Sequence, residues 1–430
     1  MAGEWKEEPF PDVIDFQEGP GILAKDFREA GVPLVRLSGL DRGGSVLEGC
    51  NYLDPEAVAK KWAHFGLAKG DILLSTSASL GRIAVVGEDG VGAIPYTGII
   101  RMRSRDARLV ADFIRYLLEG PDFQRQAEMV GAGSVIRHFG PMHLRQMTVR
   151  LPPPDEQRAI AHILGTLDDK IELNRRMNDT LEAIARALFK SWFMDFDPVC
   201  AKVEGRDPGL PKPLADLFPN SFEDSELGEI PEGWQVGNLG DVAEHPRRGV
   251  QPTEIEPSTP YIALEHMPRR SIALSGWSTA DGLGSNKFEF KRGEILFGKL
   301  RPYFHKVGVA PVNGVCSTDI VVVAPKTDEW FGFDLCHISS DAFVEFTSAS
   351  STGTKMPRTS WGDMARYELV IPPKAIAETF ARQVRPLVDR MIAGIHESHI
   401  LATLRDTLLP KLISGKLRVK GAEHFMEEAI

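Results

Sequence analysis

Between positions 160 and 188 apolar side chains recur at steps of three and four: Ile160, Leu164, Leu167, Ile171, Met177, Leu181, Ile184 and Leu188. The spacing is helical, and the stripe is narrow, closer to a coiled-coil seam than to the broad face of a globular helix. Asn174 and Asn178 fall on or beside it, and polar residues in such a seam fix register and partner at some cost in stability. A second stripe, Phe380, Val384, Leu387, Met391, Leu401, Leu404 and Leu408, repeats the first at an offset of 220. Gly394 and Ser398 stand there in place of the two asparagines. Prolines lead into both helices, at 152–154 and 372–373, and supply a stiff non-helical approach. Helix breakers at Gly165-Thr166 and at Arg385-Pro386 predict a bend or restart inside each helix.

The flanking stretches have a different pattern. Short runs such as DILLS, RIAVVG, YIAL, GEILFG and DIVVVA are separated by Gly, Pro and Asp, which reads as strands and turns. Helical candidates lie at 107–118 and near 334–346. The two halves also echo each other. Asp12-Val13 matches Asp241-Val242, VPLVRLSGL (32–40) matches TPYIALEHM (259–267), and KGDILLS (69–75) matches RGEILFG (292–298). The offset drifts from 229 through 227 and 223 to 220, then holds at 220 through the helical segments. Loops absorb length changes cheaply, whereas a packed helix that changes length rotates its apolar face. The expected fold is α+β. It comprises two β-rich domains (1–150 and 233–371), helical spacers (151–196 and 372–416), a Pro- and acid-rich linker (197–232) and a tail (417–430). The two helices are expected to pack on each other as an antiparallel intrachain coiled coil about a pseudo-twofold axis. At 1.5 Å per residue, a helix of about 35 residues forms a rod of about 50 Å.

Composition narrows the function. The 430-residue chain is 43% hydrophobic and 26% charged, ordinary for a globular protein of more than one domain. No apolar run approaches the ~20 residues needed to span a bilayer. The four cysteines are far apart with no C-x-x-C, so neither structural zinc nor a disulfide framework is expected, and a reducing cytoplasm fits. A net charge of −10 argues against a uniformly basic nucleic-acid binder but leaves room for local patches. There is no phosphate loop, no glycine-rich cofactor fingerprint, no Asn/Asp-Pro-Pro-aromatic motif, no H-E-x-x-H and no G-x-S-x-G.

The stretch LPPPDEQRAIAHILGTLDDKIELNRRMNDTLEAIARALFKSWFMDFDPV (151–199), with the linker that follows, resembles the central region of specificity subunits of type I restriction–modification systems. GEILFGKLRPYFHKVGVAP (293–311) and KGDILLSTSASLGRIAVV (69–86) are similar to segments of that family's target-recognition domains. The resemblance implies a non-catalytic subunit whose two domains each read one half of a split site in double-stranded DNA. Its helices would hold two adenine methyltransferase subunits, and restriction and translocase subunits would join. S-adenosylmethionine, ATP and magnesium would belong to those partners, none to this chain, and no membrane is implied. Two other readings are a divergent or fused restriction enzyme with its own catalytic activity and a coiled-coil scaffold without DNA readout.

DNA contact needs cations where the backbone passes. In the second domain the candidates are Lys299, Arg301 and Lys306 around GKLRPYFHK, Arg247 and Arg248 in HPRRG, and Lys355 and Arg358 in TGTKMPRTS. In the first they are Arg82, Arg101 and Arg103, with Arg137 and His138. Arg101, Arg103 and Arg105 would share one face of a strand. The alternative is a solvated hairpin for Lys299, Arg301 and Lys306 and a solvent-facing sheet edge for Arg101, Arg103 and Arg105. Because the two domains differ in their loops, the half-sites are expected to differ in sequence.

Overall fold

In the first half of the chain the aliphatic runs pair as ladders. The computed structural model describes residues 5–40, 44–76, 81–131, 140–353, 355–419 and 421–422. The chain divides into two compact units, Met1–Glu172 with Ile400–Ile430, and Leu173–His399. In the first unit Ile72–Ser75, buried along its whole length, lies between Ile99–Ser104 and Ile83–Val85, and Ile14–Glu18 completes an antiparallel sheet. A smaller sheet joins Phe27–Arg28, Asn51–Leu53, Val32–Val35 and Ile94–Pro95, the last pair parallel. Helices Ala111–Glu119 and Pro121–Gly131 follow, the first of them overlapping the stretch 107–118 expected to be helical.

Lys6–Pro9 pairs antiparallel with Thr148–Leu151, so the chain enters and leaves this domain side by side. Prolines then end the ladder, since they have no N–H to extend it, and the central helix Pro154–Phe189 begins. Fully buried Gln157 fastens the joint. Its Oε1 accepts from the Val110 N–H at 2.8 Å, and its Nε2 donates to the carbonyls of Arg108 (2.7 Å) and Pro152 (2.9 Å).

The second unit has corresponding pairings. Gln235–Asn238 pairs with Glu368–Ile371. Ala243–Glu244, Ile320–Pro325, Ile295–Gly298 and Val307–Val309 form an antiparallel sheet in that order. A five-stranded sheet contains one parallel pair, Pro260–Ile262 with Gly314–Cys316. The helix expected near 334–346 is two helices, Phe331–Ile338 and Asp341–Ala349, with the Ser340 hydroxyl capping the second by accepting from the Phe343 N–H. The stretch 197–232 is folded rather than a bare tether. It carries a helix, Asp197–Val203, and a hairpin, Phe222–Ser225 with Gly228–Pro231, and it buries Val199, Phe218 and Ile230 in this unit's core.

Both long helices contribute to both units. In the first, Ile160, Leu164 and Leu167 share a core with Leu401, Leu404 and Leu408, and Ile171 packs against it. Here Asp168 Oδ1 accepts from Arg405 Nη1 at 2.6 Å, and its Oδ2 accepts from the Tyr116 hydroxyl and lies 3.0 Å from Arg115 Nη2. In the second, Leu181, Leu188 and Leu387 pack around a core that includes Ala185, Phe189, Phe380 and Met391. Asn174 and Asn178 are buried. Asn174 Nδ2 donates to Glu397 Oε2 at 3.0 Å and to Ser398 Oγ at 3.3 Å. Asn178 Oδ1 faces Gly394, where a Cβ would lie 3.3 Å away.

Two expectations need correction. The helices are not restarted at their breakers, for Pro154–Phe189 is continuous through Gly165 and Lys374–Ile413 is continuous through Pro386. A proline inside a helix costs about 3 kcal/mol. The turns around Pro386 bury Phe380, Val384, Val388 and Met391 to 2% exposure or less, each worth about 1.5–3 kcal/mol, which outweighs that cost. Ile184 is 43% exposed, and the buried stripe runs instead through Ala185, Phe189 and Trp192. Buried Glu182 follows the same shift, accepting from Ser271 Oγ and from the Ile272 N–H.

Candidate nucleic-acid interface

In the second unit separate loops deliver the candidate cations to one region. Strand Ile295–Gly298 ends in the turn that carries Lys299 and Arg301. The Lys299 N–H donates to the Asp319 carbonyl at 2.9 Å, and the Arg301 N–H donates to the Pro357 carbonyl at 2.8 Å. Leu300 bridges to Arg358, and Thr352 also bridges to Arg358, so the 352–359 loop with exposed Lys355 folds onto the 299–301 turn. Arg358 Nε donates to Asp319 Oδ1 at 3.2 Å. His245 marks the third loop. Desolvation lowers its pKa, opposed by a hydrogen bond to the Val322 carbonyl, and the nearby charges of Arg247, Lys299 and Arg248 lower it further.

Backbone strain collects here. Among the described residues five non-glycine residues have positive φ, and four of them, Arg247, Arg270, Arg301 and His305, lie in these loops. A left-handed conformation costs a β-carbon residue about 1–2 kcal/mol, and such strain persists where the surroundings over-determine it, commonly at functional sites. Arg269 and Arg270 join the region without having stood out in the sequence. Arg269 lies over the Phe304 ring at 4.2 Å, Arg270 pairs with Asp341 at 2.9 Å, and the Arg270 N–H donates to the His305 carbonyl. The available signal is the Arg-Arg pair after Pro268, directly beyond a predicted strand.

The candidates differ in how free their charges are. Arg247 and Lys355 are exposed. Arg301 is half-buried, with Nε cut off from solvent and unpartnered. Arg248 is committed to Glu294. Lys306 donates to the Leu264 carbonyl, and its pKa is lowered by desolvation and by Arg269.

In the first unit the strand Ile99–Ser104 does place Arg101 and Arg103 on one face, but carboxylates take both. Arg101 is 7% exposed and donates to Asp15 Oδ2 at 2.7 Å. Arg103 forks onto Asp71, with Nη2 2.6 Å from Oδ2, and Arg105 lies 3.8 Å from Asp15. The guanidinium groups of Arg101 and Arg103 are thus both paired with carboxylates of this unit. The Arg82 N–H donates to Ser75 Oγ at 2.9 Å. Arg137 and His138 lie outside the described residues. Among the described residues no group of three or more His, Cys, Asp or Glu is placed to hold a metal, and no helix is long and apolar enough to cross a membrane.

Residues 3–183 match the model of the type I restriction modification DNA specificity domain. The chain is similar in sequence to type I restriction enzyme specificity subunits. It is 26% identical over 367 residues to the MjaIX specificity subunit of Methanocaldococcus jannaschii, covering 82% of this chain and 78% of that one. It is 24% identical over 421 residues to the HindI specificity subunit of Haemophilus influenzae, covering 85% and 90%. Its fold is similar to the crystal structure of the type I restriction–modification S subunit from M. genitalium, at 15% identity and a TM-score of 0.54 over 95% of this chain and 96% of that one.

Proposed function

We propose that this chain is the DNA-reading and assembly subunit of a type I restriction–modification complex and is not itself catalytic. Each β-rich domain reads one half of a split, asymmetric site in double-stranded DNA. The long helices, packed as an antiparallel intrachain coiled coil, space the domains and hold two methyltransferase subunits. Restriction and translocase subunits join that assembly. S-adenosylmethionine, ATP and magnesium serve the partners, and the complex works in the cytoplasm. The observation that carries this reading is the convergence of Arg247, Lys299, Arg301, Lys355 and Arg358 on one region of the second unit, where Arg247, Arg270 and Arg301 are held at positive φ. Fixed cations of this kind match a phosphate backbone, and arginine forks match guanine.

The test is DNA binding by the chain assembled with its methyltransferase subunits, measured across salt concentrations. Replacing Lys299 or Lys355 by alanine is expected to reduce the slope of log K against log salt by about 0.9 for each phosphate that is no longer neutralised. Slopes equal to the wild type for both variants would count against this interface.

A further inference from the structure

We infer that Arg36 is a base-reading residue of the first domain, a donor fork packed against two aromatic rings for a guanine of its half-site. This rests on the proposed reading of the chain as a DNA-recognition subunit. Arg36 follows the strand Val32–Val35, whose last residue lies opposite Pro95 in parallel register. The Tyr96 N–H donates to the Val35 carbonyl at 3.1 Å, which sets the Tyr96 ring beside the arginine. The guanidinium carbon lies 4.1 Å from the centroid of Tyr96 and 5.7 Å from that of Phe27. These two rings stand edge to face, with centroids 6.5 Å apart.

Among the described residues no side-chain donor of Arg36 is hydrogen-bonded. Its Nη1 is cut off from solvent and has no hydrogen-bond partner, so the fork open to a base is the Nε and Nη2 side, and among the described residues the side chain forms no ion pair. Arg101, Arg103, Arg108 and Arg115 of the same unit are all paired with carboxylates. A guanidinium stacked on aromatic rings has already lost much of its rotamer freedom, so little more is lost when its fork meets a base edge. A flexible, exposed lysine suits a phosphate better.

Its position in the fold supports the same role. The Thr76 N–H donates to the carbonyl of Gly98, two residues beyond Tyr96, at 2.8 Å. In the second unit the Lys299 N–H donates to Asp319 in the same way, at the start of the turn that carries Arg301. Tyr96, against which Arg36 packs, therefore lies two residues from the contact at Thr76 that corresponds to the start of that cation-bearing turn. Trp62 and Phe65 pack on the same small core as Phe27 and Tyr96. Exposed Lys60 and Lys61 beside them supply phosphate contacts.

The test uses the full chain assembled with its methyltransferase subunits and a library of DNA duplexes with a randomised central region, the retained duplexes being sequenced. The wild-type complex is expected to select a split motif. Arg36→Met keeps packing against both rings and removes the fork. It is expected to lose base preference at one position of one half, by about ten- to a hundredfold, and to keep the other half intact. Arg36→Lys, which keeps the charge without the fork, is expected to relax the same position, and it decides the matter if the Met variant fails to fold. Selection unchanged at every position, or affinity reduced equally for all sequences, would overturn the assignment of Arg36. A wild-type complex that selects no split motif would overturn the reading of the chain itself, and Arg36 with it.

Discussion

Replacing Asp168 by alanine is expected to destabilise the first unit by about 3 kcal/mol. Its carboxylate is 10% exposed and takes Arg405 Nη1 at 2.6 Å, Arg115 Nη2 at 3.0 Å and the Tyr116 hydroxyl at 3.0 Å. The Arg405 side chain is 8% exposed, so solvent does little to screen the charge left behind. Breaking a buried pair by removing one partner costs about 3–5 kcal/mol. The low end applies because Arg405 keeps Asp406 at 2.8 Å and Arg115 keeps Glu119 at 3.3 Å. Removing both partners should behave differently. Changing Asp168→Leu together with Arg405→Met takes away both charges, and replacing a buried ion pair by apolar groups is often near neutral. Asp168→Leu alone, Arg405→Met alone and the double change therefore form a cycle with a coupling of about 2 kcal/mol, within the 0.5–3 kcal/mol seen for residues that touch. Hydrogen exchange of peptides from 111–119 and 401–412 reads this unit's stability directly. A destabilisation below about 1 kcal/mol for the single changes, or strict additivity in the cycle, would refute the reasoning.

Other outcomes follow from the same structure. Gly165→Ala is expected to stabilise by about 0.5–1 kcal/mol, since the new Cβ meets only the Tyr116 hydroxyl at 3.6 Å. Gly394→Ala gains the same helix propensity but presses on Asn178 Oδ1 at 3.3 Å, so paired thermal melts should show the smaller benefit there. Pro386 is exposed on a continuous helix, and Pro386→Ala should raise stability by about 2–3 kcal/mol; no gain in urea melts would contradict the account of that helix. Asp334 is fully buried with neither oxygen hydrogen-bonded, and burial raises its pKa well above the ordinary carboxylate value. The folded state therefore holds a proton that the unfolded chain releases, and stability falls as pH rises above the unfolded value toward the folded one. Asp334→Leu should be more stable than wild type at neutral pH by at least about 1 kcal/mol, with the advantage shrinking on acidification; an advantage independent of pH would refute this. Adding one heptad to both long helices, about 10 Å, should lengthen the preferred DNA spacer by about three base pairs, and an unchanged spacer would remove the ruler from the proposal.

The seam of the first unit is legible from spacing alone, because Ile160, Leu164 and Leu167 keep a helical step and all are buried. Spacing fails at Ile184 for a physical reason. Beyond Asn178 the helix packs against Phe333 as well as against Phe380 of its partner helix, and this shifts the buried face to Ala185 and Phe189. The placement of Arg101 and Arg103 on one face follows from strand periodicity. Their carboxylates do not, since Asp15 and Asp71 lie 86 and 32 residues away in sequence. The left-handed arginines are equally hidden, because arginine has no preference for positive φ and only the converging loops impose it. Arg36 is silent in the sequence, because a lone arginine ending a strand carries no signal until Tyr96 is brought beside it.

The most direct test of the central claim is methylome mapping in cells that carry this chain together with its methyltransferase partner. Methylated adenines are predicted within a split motif whose two halves differ in sequence and lie more than one turn of DNA apart, present only when the chain is present. Methylation without such a motif, or a motif unchanged when the chain is deleted, would contradict it.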